Sequence, residues 1–251
     1  MSKNKEEIVS RIKQLFDIKE IITKDDISKV YNEFGISLSD NALRKNIFRL
    51  KEKGILNKVG NGIWSLETKP QYIPEIDTHI TKIRRLFTAT YTDVNYCIWS
   101  TAWLHDFMVH QPFNWFYIFE VEKDMLETAF YLFKDNNINA FNSPDKSILE
   151  TYATEEKRAV IIKNLTSRSS ILNIKKNSVP STEKMLIDTF CDKDIFYFYQ
   201  GTELVNIFEQ AIERYHINFS TLLNYAAQRG KKEEIIDLLL NKVQINKNLL
   251  P

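Results

Sequence analysis

Cysteine is scarce in this sequence. The only two, Cys97 and Cys191, stand far apart with no Cys-x-x-Cys spacing. That excludes a disulfide framework or a zinc knuckle and fits a reducing cytoplasm. An excess of charge of one sign is missing as well: 34 Lys and Arg face 33 Asp and Glu, a net charge of +1. The molecule as a whole therefore has no bulk attraction to nucleic acid or to an anionic membrane, and any basic patch must be local. Long apolar runs are absent. Stretches such as Trp115 to Phe119 fall far short of the roughly 20 residues that a membrane span requires. The opening MSKNKEEIVSRIKQLF is too charged for a secretory signal, so a cytoplasmic, unprocessed chain is expected. No G-x-x-x-x-G-K-[ST], G-x-G-x-x-G or G-x-S-x-G occurs, which removes the sequence signals of P-loop, dinucleotide-binding and α/β-hydrolase chemistry. There is no internal repeat and no low-complexity tract.

What is present suits packed cores: 43% hydrophobic and 12% aromatic residues over 251 positions, enough for two domains. The expected fold class is α+β or mixed α/β. Ile8, Ile12, Leu15 and Phe16 recur at helical spacing, predicting a first helix over Lys5 to Asp17. Thr23 is a cap candidate for a second helix, with Asp25 and Asp26 at its positive end and Ile27, Val30, Tyr31 and Phe34 on one face. Gly35 ends it. Ser39 then caps a third helix over Asp40 to Lys53, and ILNKVGNGIWSLE reads as a β-hairpin turning at Gly60-Asn61-Gly62. Three helices followed by a hairpin is the order of a winged helix-turn-helix, whose third helix enters the DNA major groove. Residues 1–66 carry 13 Lys and Arg against 9 Asp and Glu, a net of +4, while residues 67–251 carry 21 against 24, a net of −3. Basic charge sits where that assignment needs it.

The expected division is a winged helix over 1–68, a proline-bearing linker over 69–77, a mixed α/β domain over 78–178 and a helical C-terminal part over 179–251 packed on it. In the α/β region, helices over Thr78 onward and Asp124 to Lys134 alternate with strands at Asn95 to Trp99, Trp115 to Val121, Ile138 to Phe141, Ala159 to Ile162 and Ile171 to Ile174. Ser100 caps a further helix to about Met108. After Pro180 the pattern is wholly helical, and the last ten residues are expected to fray.

On the third helix Leu43, Ile47 and Leu50 form the buried stripe, so Asn41, Arg44, Lys45 and Arg49 remain for DNA, with Phe48 and Glu52 also pointing outward. Amide and guanidinium groups match the hydrogen-bonding patterns of base edges and phosphates. Lys58 and Asn61 of the hairpin are the candidate backbone contacts. The alternative is a basic helix that merely solvates a surface. His105 and Asp106 are neighbours that point about 100° apart on a helix and form no dyad. The other histidines, His79, His110 and His216, lack metal-ligand spacing, so no metal and no cofactor are expected. Glu120, Glu122 and Lys123 approach the carboxylate-plus-lysine pattern of metal-dependent nucleases, but the lysine falls at the wrong offset. Most of the aromatics from Trp99 to Phe119 must be core, and the rest are free to form an interface.

The segment VPSTEKMLIDTFCD (Val179 to Asp192) reads physically as a capped helix with Met185, Leu186 and Phe190 inward, and Glu183 and Lys184 exposed in its first turn. It also resembles the T/S-x-E-[KR]-x-L-[IV]-D segment of AbiEi-like antitoxins of type IV, abortive-infection toxin–antitoxin systems. STAWLHDF (Ser100 to Phe107), GTELVNIFEQAIERY and INFSTLLNYAAQRGKKEEIIDLLL are similar to other helices of that family. The resemblance implies a non-catalytic protein that represses its own operon through operator DNA. It also implies neutralisation of a nucleotidyltransferase-like toxin without a stable complex, with Ser181, Glu183, Lys184 and Asp188 as partner-site residues. Two other classes stay open: a winged-helix regulator whose C-terminal domain senses a ligand or protein, and a metal-dependent nuclease.

Overall fold

The computed structural model describes residues 2–16, 21–66, 69–153 and 158–250. They form an α+β protein of two compact units. The first takes in residues 1–71, 214–221 and 244–251, and the second 72–213 and 222–243. The expected helix end at Asp17 and the expected boundary at 68 lie outside the described residues.

In the first unit, helices α1 (Ser2–Phe16), α2 (Lys24–Glu33) and α3 (Asp40–Glu52) precede a hairpin of β2 (Asn57–Gly60) and β3 (Ile63–Ser65). The caps follow from the sequence. The Thr23 hydroxyl accepts from the Asp26 amide while the Asp26 carboxylate accepts from the Thr23 amide, closing a capping box at α2. Ser39 caps α3 by accepting from the Ala42 amide at 3.3 Å. Gly62 holds the hairpin turn at φ +74°, a left-handed backbone that a Cβ would oppose. A two-residue strand, β1 (Ile22–Thr23), pairs with β3, giving the order β1-β3-β2. Ile8, Ile12, Ile22, Ile27, Val30, Leu43, Ile47, Leu50, Leu56 and Trp64 make one core. Near the C-terminus Lys247–Leu249 form a 3-10 turn capped by Asn246.

The second unit is a four-stranded sheet, order β4-β5-β7-β6, built from β4 (Tyr96–Ser100), β5 (Tyr117–Val121), β6 (Ala140–Asn142) and β7 (Val160–Asn164). β4 runs antiparallel to β5, whereas β5, β7 and β6 are parallel, with β7 inserted between the two strands that α5 (Leu126–Asp135) connects. Side chains alternate between the faces. Phe119 and Tyr96 face α4 (Thr78–Thr90) and α5, where Phe119 meets Phe87 and Phe133 edge to face at 4.8 and 4.9 Å. Cys97, Trp99, Glu120 and Lys163 face the other way. A short helix, α6 (Lys146–Ile148), follows β6. A second hairpin, β8 (Ile171–Ile174) with β9 (Asn177–Pro180), leads into the helices α7 (Thr182–Cys191), α8 (Thr202–Arg214), α9 (Phe219–Gln228) and α10 (Lys232–Asp237).

The helix expected after Ser100 is a 3-10 helix, Thr101–Phe107, with Ser100 as its cap. β9 went unread because its turn is Lys175-Lys176, both at positive φ, rather than the usual Asn-Gly. From Tyr72 the segment read as linker is fastened down. The Tyr72 hydroxyl donates to Asp106 at 2.8 Å, and Asp77 caps α4 while accepting from the Tyr117 hydroxyl at 2.7 Å.

Candidate functional site

Within the second unit, α7 is buried along its whole length from Thr182 to Phe190. Ser181 opens it as the cap, accepting from the Lys184 amide at 3.3 Å. Lys184 and Asp188 are one helical turn apart, and Asp192 follows one turn later at the C-terminal cap. This charged stripe lies against the polar row of the sheet, where Cys97, Glu120 and Lys163 are register partners across β4, β5 and β7. Lys184 donates to both Glu120 oxygens, at 2.7 and 2.9 Å, to Asp188, and to the Tyr225 hydroxyl at 3.2 Å. Trp99 Nε1 also donates to Glu120, at 3.2 Å. Beyond the end of α9, Arg229 bridges Asp188 and Asp192, the latter at 2.6 Å, and Lys163 reaches Asp192 at 2.5 Å. Tyr225 donates to Asp188 at 2.8 Å.

The result is a network of three cations, Lys163, Lys184 and Arg229, and three carboxylates, Glu120, Asp188 and Asp192. Its core is dry: the Glu120, Lys184 and Asp188 side chains have no exposure. Burial alone would push the Asp188 carboxyl up, but Lys163, Lys184 and Arg229 outweigh it and hold the group down at about 2. Burial likewise opposes the charge on Lys184 and Lys163, and the surrounding carboxylates win, raising both. Burial, with Tyr225 beside Asp188, raises that phenol to about 12. Cys97 is pushed far up by burial and then by Glu120, so its thiol is not poised to react.

One edge of the network reaches water. Lys163, Asp192 and Arg229 form part of the wall of an open cleft of about 760 Å³, all of it within the second unit. The cleft sits at the carboxyl ends of β6 and β7, where Ser143 and Asn164 line it. Ser143 holds φ +47° while its amide donates to the Ile162 carbonyl at 2.8 Å.

Of the sequence-derived partner residues, Ser181, Glu183, Lys184 and Asp188 are all buried. The expected exposure of Glu183 and Lys184 is therefore corrected: both are buried, and Lys184, which a helical wheel assigns to solvent, turns into an ionic core. The nuclease-like trio is not brought together. Glu120 is saturated by Lys184 and Trp99, Glu122 lies beyond the strand and accepts from Asn95 at 2.9 Å, and Lys123 opens a 3-10 turn. Among the described residues no group of three His, Cys, Asp or Glu is placed to hold a metal. His105 approaches the Tyr199 hydroxyl at 3.3 Å, and Asp106 pairs with Tyr72. Sequence reasoning did not find Lys163, Asp192, Tyr225 and Arg229 as members of a site. The local signals available were the i, i+4 spacings of Tyr225 with Arg229 and of Asp188 with Asp192.

In the first unit α3 presents Asn41, Arg44, Lys45, Phe48 and Arg49 to solvent, Phe48 at 60% exposure, while Leu43, Ile47 and Leu50 are buried. Arg44 pairs with Asp40 at 2.8 Å, and Asp40 also meets Lys24. Asn61 is exposed at the hairpin tip and Lys58 is half-buried. Among the central aromatics Trp115 remains 42% exposed, and Trp99, Trp103, Phe107, Phe116, Tyr117 and Phe119 are core.

The chain belongs to the family of unknown function DUF6577, whose model matches residues 42–245. Among curated proteins none matches. A crystal structure of the RV2827C protein from Mycobacterium tuberculosis is similar at 13% identity over 96% of this chain and 82% of that one. Its TM-score is 0.25, too low to transfer a fold. No helix among the described residues is long and apolar enough to cross a membrane.

Proposed function

We propose that this protein is a DNA-binding regulator whose first unit acts as a winged helix, and that it serves as the antitoxin and autorepressor of a type IV toxin–antitoxin pair. The observation that supports DNA binding most directly is the outer face of α3. A helix capped by Ser39 and anchored by Leu43, Ile47 and Leu50 turns Asn41, Arg44, Lys45 and Arg49 outward beside a glycine-turned hairpin. Base edges and phosphates are read by such side chains from a helix laid in the major groove. The net charge of +4 over residues 1–66, against −3 elsewhere, favours the same face. The antitoxin part rests on the AbiEi-like segment Val179 to Asp192. Since Ser181, Glu183, Lys184 and Asp188 are buried, in this reading they support the partner-binding unit from inside rather than touch a nucleotidyltransferase-like toxin themselves.

The test is binding of the full chain to the DNA upstream of its own gene, followed by fluorescence anisotropy across a salt series. Affinity falls steeply with salt as Lys and Arg displace counterions from phosphates. Replacing Arg44, Lys45 and Arg49 together with alanine weakens binding by about 3 kcal/mol or more, at about 1 kcal/mol per contact. Wild-type affinity in that variant rules out this face of α3.

A further inference from the structure

We infer that the cleft at the carboxyl ends of β6 and β7 is a binding site for a small phosphorylated ligand, held by Lys163, Arg229, Lys193 and Lys231. The inference stands independently of DNA binding by the first unit. Its starting point is position. In sheets with parallel strands, ligands collect in the crevice beyond the strands' carboxyl ends, and this cleft opens there, beside Ser143 and Asn164. A volume of about 760 Å³ is that of a small-molecule site.

The chemistry follows from the donors. Lys163 and Arg229 reach the cleft with side chains only 10% and 17% exposed, so little freedom remains to be lost on binding. Asp188 and Asp192 hold both cations in place. The guanidinium has five N–H donors and the ammonium three. The bonds from Arg229 to Asp188 and Asp192 use one donor on each of Nη1 and Nη2, and Lys163 spends one on Asp192, leaving further donors for an anion. Lys193, exposed and lying over the Phe190 ring at 5.9 Å, and Lys231, paired with Glu234 at 2.6 Å, stand on the rim. Asp192 and Asp194 line the same cleft, so four cations stand against two carboxylates there, and the cationic excess with its spare donors fits phosphate oxygens.

Pro144 and Ile195, both largely buried, form the apolar part of the same cleft's lining. The net charge of −3 over residues 67–251 disfavours a long polyanion, so a nucleotide-sized molecule is the occupant rather than a nucleic acid.

The experiment is calorimetric titration of the full chain with ATP, pyrophosphate, inorganic phosphate, adenosine and a single-stranded oligonucleotide. ATP and pyrophosphate are expected to bind with salt-dependent affinity, and adenosine to give no heat. The double substitution Lys193→Glu and Lys231→Glu, on the rim and outside the buried network, should weaken binding by about tenfold or more, as losing charge-assisted hydrogen bonds requires. Lys193→Arg with Lys231→Arg should retain it. Circular dichroism and the thermal midpoint establish that both variants are folded. Three outcomes overturn the inference: no binding of ATP, pyrophosphate or phosphate by the folded protein, equal binding by the charge-reversed variant, or preferential binding of the oligonucleotide at these lysines.

Discussion

Lys184 decides how the second unit is held together, because one fully buried ammonium serves Glu120, Asp188 and Tyr225 at once. Removing one partner of a buried ion pair leaves the others desolvated and unpaired, which costs about 3 to 5 kcal/mol. Lys184→Met should therefore lower the stability of the full chain by about that amount, read as a shift in the urea midpoint. Adding Glu120→Gln should recover part of the loss, since the neutral amide no longer demands a cation and Asp188 keeps Arg229 and Lys163. A loss below about 1 kcal/mol in the single variant, the level of an exposed pair, would mean that the network is wet and weak. At this scale the sequence was legible only in part. Thr23, Ser39, Ser100 and Ser181 were recognisable as caps because capping chemistry is local. Lys184 was misread as a surface residue because its partner Glu120 is 64 positions away and nothing local announces it.

α7 carries the stripe Lys184, Asp188, Asp192 at successive turns, and its titration should be visible in stability. The Asp188 carboxyl is lowered from 3.8 to about 2 in the folded chain, so as pH falls the unfolded state takes up its proton first. The stability contributed by this group is therefore fully present above about pH 4 and lost between about pH 4 and 2. Urea midpoints measured from pH 5 to pH 2 should fall through that window. Asp188→Asn should start lower at pH 5 and show a flatter slope, and identical slopes for the two proteins would contradict the assignment. Elements were legible where one period dominated: α2, α3, α4, β5, β8 and α7 match their sequence readings within a few residues. β1 and β9 were not, the first because two residues carry no period and the second because its turn is made by two lysines. The parallel pairing of β5, β7 and β6, which places the cleft, is a long-range property that no local pattern encodes.

For the whole molecule the proposed function divides in two, with DNA binding by the first unit and toxin control by the second. The first unit also takes in residues 214–221 and 244–251, so a truncation after the hairpin would remove part of it. Substitutions in the full chain are the cleaner instrument. The proposed function requires a nucleotidyltransferase-like toxin encoded beside this gene, and the most direct measurement is survival of cells in which that neighbouring gene product is expressed from an unrelated inducible promoter. The full chain and its Arg44→Ala, Lys45→Ala, Arg49→Ala variant are each supplied in trans at matched levels. If protection resides in the second unit, the variant that has lost operator binding protects as well as the wild type, because toxin synthesis no longer depends on the operator. Protection by the wild type that disappears in the variant would contradict the account and assign protection to the DNA-binding face of α3.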